Sequence, residues 1–228
     1  MKWLNHFLDL IYPRTCEACE NHLLSEEKLI CTHCMMTLPQ TKSHLDSSNH
    51  ITKKFWGKIP VRGSFSYLKF IKKSRVQKLL HELKYRNKPE LGKFLGELYG
   101  KDLKKIQLDE KIDLIIGVPL HKEKYKQRGY NQADCFAEGL SVSLGIPFDE
   151  KSVIRIKNTE TQTKKSRIDR FRNVEDIFKV VEKEKILGKR IAIVDDVLTT
   201  GSTLESLGKK LLDEGCSEIT FITLATAV

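Results

Sequence analysis

Two adjacent carboxylates, Asp195 and Asp196, follow the apolar run Ile191-Ala192-Ile193-Val194 and precede Val197-Leu198-Thr199-Thr200-Gly201-Ser202-Thr203. Such a run is a buried strand, and it delivers both acids to the carboxyl end of a sheet, where open α/β folds bind ligands. The small and hydroxylated residues that follow lead into a helix. Backbone N–H groups at a helix start, with the helix dipole behind them, suit a phosphate monoester. Gly201 lets the main chain come close, and Thr199, Thr200, Ser202 and Thr203 offer hydroxyl donors. Acids ahead of a phosphate cup suit the vicinal hydroxyls of a sugar whose 5-phosphate sits in the cup. No lysine follows Gly201, so the stretch is not a P-loop.

A second cluster is Cys16-Glu17-Ala18-Cys19 with Cys31-Thr32-His33-Cys34, a C-x2-C-x11-C-x2-C spacing. Two such knuckles place four thiolates tetrahedrally about a structural Zn²⁺. His22 and His33 are alternatives to a cysteine ligand. A module this short buries little apolar surface, so metal supplies most of its folding energy, and a core separate from the rest of the chain is expected. Cys135 and Cys216 have no partner in sequence and read as core residues.

The elements that must position these residues follow from periodicity. Strands are expected at Ser64–Phe70, Ile112–Pro119, Ile191–Val194 and Thr220–Ala225. Helices are expected at Val76–Tyr85, Leu91–Leu103, Asn131–Leu144 with Gly145 as its stop, and Thr203–Gly215. Strands alternating with helices give an α/β fold with a parallel sheet flanked by helices. Residues 1–39 form an N-terminal helix (Leu4, Phe7, Leu8, Ile11) and the cysteine module. The mostly polar residues 40–60 read as a linker, and 61–228 as the α/β domain. Lys151–Phe178 is rich in cations, which predicts a mobile basic loop.

The 228-residue chain has a formal net charge of +10, which favours polyanionic ligands without choosing among them. No apolar run is long enough to span a membrane, and no export signal is evident, so a cytoplasmic location is expected.

The order acid–acid–hydroxyl–Gly–hydroxyl resembles the 5-phosphoribosyl 1-pyrophosphate (PRPP) signature of type I phosphoribosyltransferases. The resemblance implies that Asp195 and Asp196 take the ribose hydroxyls, directly or through Mg²⁺, while Thr199–Thr203 hold the 5-phosphate. Leu120, His121, Arg128 and Gly129 then fall in the pyrophosphate region, with Arg128-Gly129 read as opening a helix. Lys164, Lys165, Arg167 and Arg170 lie on the basic loop that closes over the ligand. Purine-salvage enzymes of this fold carry an aspartate where Thr199 stands, and threonine does not replace it as an acid–base group.

Val118-Pro119-Leu120-His121, Arg128-Gly129-Tyr130-Asn131-Gln132, Thr161-Gln162-Thr163 and Leu83-Lys84-Tyr85 resemble the ComF (ComFC) family of competence proteins. That likeness implies a phosphoribosyltransferase-type domain behind an N-terminal zinc ribbon, in which glycine usually follows the second cysteine and Glu20 stands here. It also implies partners: single-stranded DNA and proteins of the competence machinery. An active phosphoribosyltransferase with an unidentified nitrogen acceptor is the alternative. Aromatic residues near cations, such as Trp56, Tyr67, Phe70 and Tyr85, are candidates for stacking on bases.

Overall fold

The computed structural model describes residues 13–46, 48–156 and 177–227. The expected N-terminal helix and the loop residues Lys164, Lys165, Arg167 and Arg170 lie outside them.

Seven strands are described: β1 (Gly63–Phe70), β2 (Leu114–Gly117), β3 (Phe148–Asp149), β4 (Val153–Arg155), β5 (Phe178–Val180), β6 (Arg190–Leu198) and β7 (Glu218–Ala227). Five of them make one sheet in the order β1-β7-β6-β2-β3, with every neighbouring pair parallel. Near-continuous apolar runs such as Leu114–Ile116 and Ile191–Val194 are buried, as strands covered on both faces must be. β4 and β5 pair separately and antiparallel, Val153 opposite Val180 and Arg155 opposite Phe178. β4 falls inside Lys151–Phe178, where a loop was expected, because Val153 is buried and pairs with Val180.

The helices are α1 (Thr32–Thr37), α2 (His50–Lys53), α3 (Arg75–Tyr85), α4 (Pro89–Lys105), α5 (Lys122–Arg128), α6 (Gln132–Leu144) and α7 (Ser202–Asp213). Gly145 ends α6 in the left-handed conformation, as its sequence position suggests. α4 and α6 approach until Gly139 touches the Lys93 carbonyl. A Cβ at Gly139 would lie 2.0 Å from that oxygen. At its start α6 meets the end of β2, where Asp134 lies against Gly117.

Two expectations are corrected. The cysteine module has no core of its own: Cys16, Ala18, Ile30, Cys31 and Cys34 join one buried cluster with Phe65, Leu68, Val76, Leu79 and Leu83. Residues 40–60 also pack on the domain. Ser43 Oγ donates to the Ser66 carbonyl at 3.2 Å and accepts from Ser66 N at 2.9 Å. Asn49 Nδ2 donates to the Ser64 carbonyl at 3.2 Å, and Thr52 Oγ1 accepts from Ser64 N at 2.9 Å. The polar residues that read as a linker satisfy the backbone of the edge strand β1 instead of water.

Phe55 anchors that segment. Its ring is 1% exposed and lies 4.6 Å from the Phe221 ring, centroid to centroid. Phe55→Ala should lower stability by about 3–5 kcal/mol, read as a reduced urea midpoint. An unchanged midpoint would show that the segment is attached only at its ends.

Candidate functional site

β6 carries Asp195 and Asp196 within the strand itself, near its carboxyl end, just past the last β2 pair at Val194 and alongside β7. The Asp196 N–H donates to Asp195 Oδ1 at 2.8 Å, which turns the first carboxylate back along the chain. Lys84, near the end of α3, places Nζ 2.8 Å from Asp196 Oδ2. Desolvation first, and the Asp196 charge second, push the Asp195 carboxyl above the usual range; the Asp196 N–H, Lys84 and Arg155 pull against them. The acids are therefore unequal, one favouring its proton and the other carrying a cation. They are also more enclosed than an open crevice would leave them.

Past the acids, Thr199 and Thr200 are exposed, and Gly201 starts α7 with φ 85°, in the left-handed region. A Cβ on Gly201 would meet the Phe55 ring at 2.8 Å, so two constraints select glycine here. Thr200 Oγ1 and Ser202 Oγ lie 3.1 Å apart. Asp195 and Thr199–Thr203 line one small cup at the head of α7.

The region after β2 folds differently from expectation. His121 caps α5 by accepting from Glu123 N through Nδ1 at 3.4 Å, and Gly129 ends α5 at φ 80°. Arg128-Gly129 thus closes a helix instead of opening one. The left-handed preference of glycine serves a helix stop as readily as a close approach to an anion. Asn131 is the residue that opens α6: its Oδ1 accepts from Ala133 N at 3.2 Å, and its Nδ2 donates to the Val118 carbonyl at 2.9 Å. Leu120 and His121 are half-buried beside this turn.

A cleft of about 370 Å³ lies between the end of α3 and α5, lined by Lys84, Tyr85, Asn87, Lys124, Gln127 and Arg128. Lys84 is shared between the cleft and the acid pair. Tyr85 is 64% exposed, with the Arg128 guanidinium 5.5 Å from its ring centroid. Tyr67, another aromatic considered for stacking, is core. Sequence reasoning took Lys84 only as a mark of the ComF-family resemblance, and Tyr85 as that and as a stacking candidate, because the Lys84–Asp196 pair joins elements far apart in the chain.

Sequence reasoning also missed Asp134. It sits in the first turn of α6 against Gly117, where a Cβ would meet its Oδ1 at 2.0 Å. With Pro119, Leu120, Tyr125 and Arg155 it lines a separate cavity of about 260 Å³.

The four cysteines do converge. Their Sγ atoms lie within 4.8 Å of one another, with Cys19 and Cys31 at 3.8 Å, and neither His22 nor His33 belongs to the group. Metal–sulfur bonds of about 2.3 Å in a tetrahedron put sulfurs roughly 3.8 Å apart, so the cluster fits a metal site and is consistent with zinc. Glu27 ties the knuckles together by accepting from Leu24 N at 2.8 Å and Thr32 N at 2.6 Å. Glu20 adopts φ 66°, which accounts for the glycine expected there, and its carboxylate pairs with Lys78 at 2.7 Å. Cys216 is buried and Cys135 partly so. Among the described residues no helix is long and apolar enough to cross a membrane.

Residues 131–227 match the phosphoribosyl transferase domain family. Competence protein F of Haemophilus influenzae is 32% identical over 216 residues, covering 93% of this chain and 90% of that protein. DNA utilization protein YhgH of Shigella flexneri is 29% identical over 211 residues, 90% of this chain and 86% of that one. Competence protein ComFC of Bacillus subtilis is 30% identical over 140 residues, 61% and 55% respectively.

Asp134 offers a test of the electrostatics around the site. Burial pushes its carboxyl from 3.8 up to about 7; an Asn131 hydrogen bond opposes this and the Glu150 charge adds to it. A raised carboxyl pKa makes the folded chain hold the proton longer than the unfolded one. The contribution of Asp134 to stability therefore falls as pH rises from about 4 to about 7 and levels off above. Asp134→Asn should gain in Tm over the native protein across that window and keep a constant lead above it. Parallel Tm curves for the two proteins would refute this.

Proposed function

We propose, from the premise that this chain belongs to the competence protein F (ComF) family, that it binds PRPP with Mg²⁺ and serves natural transformation by handling imported single-stranded DNA in the cytoplasm. The observation that carries the phosphoribosyl part is the acid pair at the end of β6 running directly into the Gly201 turn at the head of α7. Asp195 and Asp196 accept the ribose hydroxyls, directly or through Mg²⁺, and Thr199, Thr200, Gly201, Ser202 and Thr203 hold the 5-phosphate. Leu120, His121, Arg128 and Gly129 flank the pyrophosphate, with Lys84 and Lys124 adding charge from the cleft. Asp195 and Asp196 are the residues that would hold Mg²⁺, which would supply positive charge to offset the phosphates.

Cys16, Cys19, Cys31 and Cys34 hold a structural Zn²⁺ in this reading, within a module at 1–39 joined through 40–60 to the phosphoribosyltransferase-like domain at 61–228. The DNA part rests on the relatives' names, the net charge of +10 and the exposed Tyr85 beside Arg128, an aromatic face and cation suited to a base and its phosphate. Lys164, Lys165, Arg167 and Arg170 add cations for the DNA backbone or for pyrophosphate. Proteins of the competence machinery are the expected partners.

The second reading, an active phosphoribosyltransferase, is favoured by the cleft that shares Lys84 with the acid pair. There a nitrogen nucleophile forms a bond to ribose carbon 1 as the bond to pyrophosphate breaks, and pyrophosphate leaves with the bonding electrons. Asp195 and Asp196 hold the ribose while it carries positive charge. Assays of pyrophosphate release over a panel of bases, beside single-stranded DNA binding, separate the two. Turnover with a base assigns the enzyme, whereas DNA binding without turnover assigns the accessory role.

Asp195→Asn with Asp196→Asn keeps the size of both side chains and removes both carboxyl groups. PRPP binding by calorimetry in Mg²⁺ buffer should be lost while the circular dichroism spectrum is retained. Unchanged affinity would show that the acids do not hold the ligand. Replacing Lys164, Lys165, Arg167 and Arg170 together with alanine should weaken single-stranded DNA binding and flatten its log–log salt dependence by up to about 3. If the loop serves PRPP alone, PRPP affinity falls instead and the DNA salt slope stays as it was.

A further inference from the structure

Helix α3 touches the cysteine module along its length and the acid pair near its end. At its first residue, Arg75 Nη1 donates to Cys34 Sγ at 3.3 Å and to Thr37 Oγ1 at 2.9 Å. One turn on, Lys78 pairs with Glu20 of the module at 2.7 Å. Just beyond the helix, Lys88 is shared between Glu17, which lies between two of the cysteines, and Glu82 of α3 itself. Lys84 meets Asp196 at 2.8 Å. Tyr130 locks the end of the helix: its hydroxyl donates to the Leu83 carbonyl and accepts from Lys88 N.

The inner face of α3, formed by Val76, Leu79, Leu80 and Leu83, lies in the buried cluster that contains Cys16, Cys31 and Cys34. An eleven-residue helix is too short to hold its own shape in water, so its position comes from these contacts. From Arg75 to Lys84 it spans about 14 Å, as a rigid rod.

We propose that α3 couples metal occupancy of the four-cysteine module to phosphoribosyl binding at the acid pair, with Arg75 and Lys84 as positioning residues. The proposal rests on the phosphoribosyl reading above. The metal fixes Cys34, Cys34 and Thr37 fix Arg75, and the rod carries that constraint to Lys84. Four thiolates on a divalent cation also leave net negative charge facing the Arg75 guanidinium, which strengthens that tether. At the other end, Lys84 stands where a polyanionic sugar phosphate must approach two carboxylates. An ammonium there lowers the repulsion, and its loss raises it. Metal loss should therefore weaken the ligand, not tighten it.

The test uses the full chain, metal-loaded and after chelation followed by desalting, titrated with PRPP in Mg²⁺ buffer by calorimetry. PRPP should bind at least 5-fold more weakly to the stripped protein, the lower end of typical coupling between sites. By linkage, saturating PRPP should raise the protein's affinity for its metal, measured against a chromophoric chelator, by the same factor. Arg75→Met keeps all four cysteines and should retain metal, yet bind PRPP several-fold more weakly. Should the stripped protein unfold, as circular dichroism would show, the chelator competition and Arg75→Met still decide the matter in folded protein. Equal PRPP affinity in native and Arg75→Met proteins, or metal affinity indifferent to PRPP, would overturn the coupling. Tighter PRPP binding on metal loss would reverse its sign and overturn it as well. Metal-loaded native protein that binds no PRPP would remove the phosphoribosyl reading itself, and the coupling with it.

Discussion

Two carboxylates side by side at the end of a buried strand cannot both stay charged unaided, and the Lys84 ammonium stands 2.8 Å from Asp196. In water such a pair would cost little. Here the acids are partly withdrawn from solvent, and Asp195 meets the cost by favouring its proton. Asp196 meets it through Lys84. This arrangement constrains α3, because an ammonium at 2.8 Å requires the end of the helix to lie beside β6. It also constrains what anchors α3, which is the cysteine module on one side and Tyr130 on the other. The small N-terminal module thus belongs to the architecture of the site.

Much of the scaffold was legible because its signals are local. A buried apolar run, a left-handed glycine after a helix and a C-x2-C pair each depend on a few consecutive residues. β6 is the clearest instance, although it runs on through the acids to Leu198 where the apolar run alone would end it at Val194. Parallel pairing with β7 continues there, Asp195 opposite Thr223 and Leu198 opposite Thr226. Hydrogen bonding to a neighbouring strand thus outweighed the poor strand preference of aspartate. The cysteine spacing was equally direct, and the four sulfurs converge.

What was not legible is non-local or polar. The Lys84–Asp196 pair joins an early helix to a late strand, and nothing in either sequence neighbourhood names the other. Asn49, Thr52 and Ser43 read as linker residues because polar side chains usually face water. In the fold they serve the backbone of β1, a use that composition does not reveal. Arg128-Gly129 shows the reverse ambiguity. The same dipeptide fits a helix start or a helix stop, and the choice fell to His121, whose ring caps α5 upstream.

The position of Phe55 ties the misread segment to the correctly read cup. Gly201 was singled out for letting a phosphate approach; its φ of 85° favours glycine whatever lies in the cup. The Phe55 ring supplies a second reason for glycine, since it occupies the space where a side chain would go. That ring is held by Phe221 on β7, the strand next to β6. The cup is therefore walled from behind by a residue of the segment covering β1, while the acids are closed from the front by α3. Both walls come from chain before β2, outside the matched residues 131–227. The strands and turns that bind can be shared across a family of sugar-phosphate folds, and the chain ahead of them then decides how closed the site is. In this protein that earlier chain is tied down by four cysteines and by the edge of the sheet.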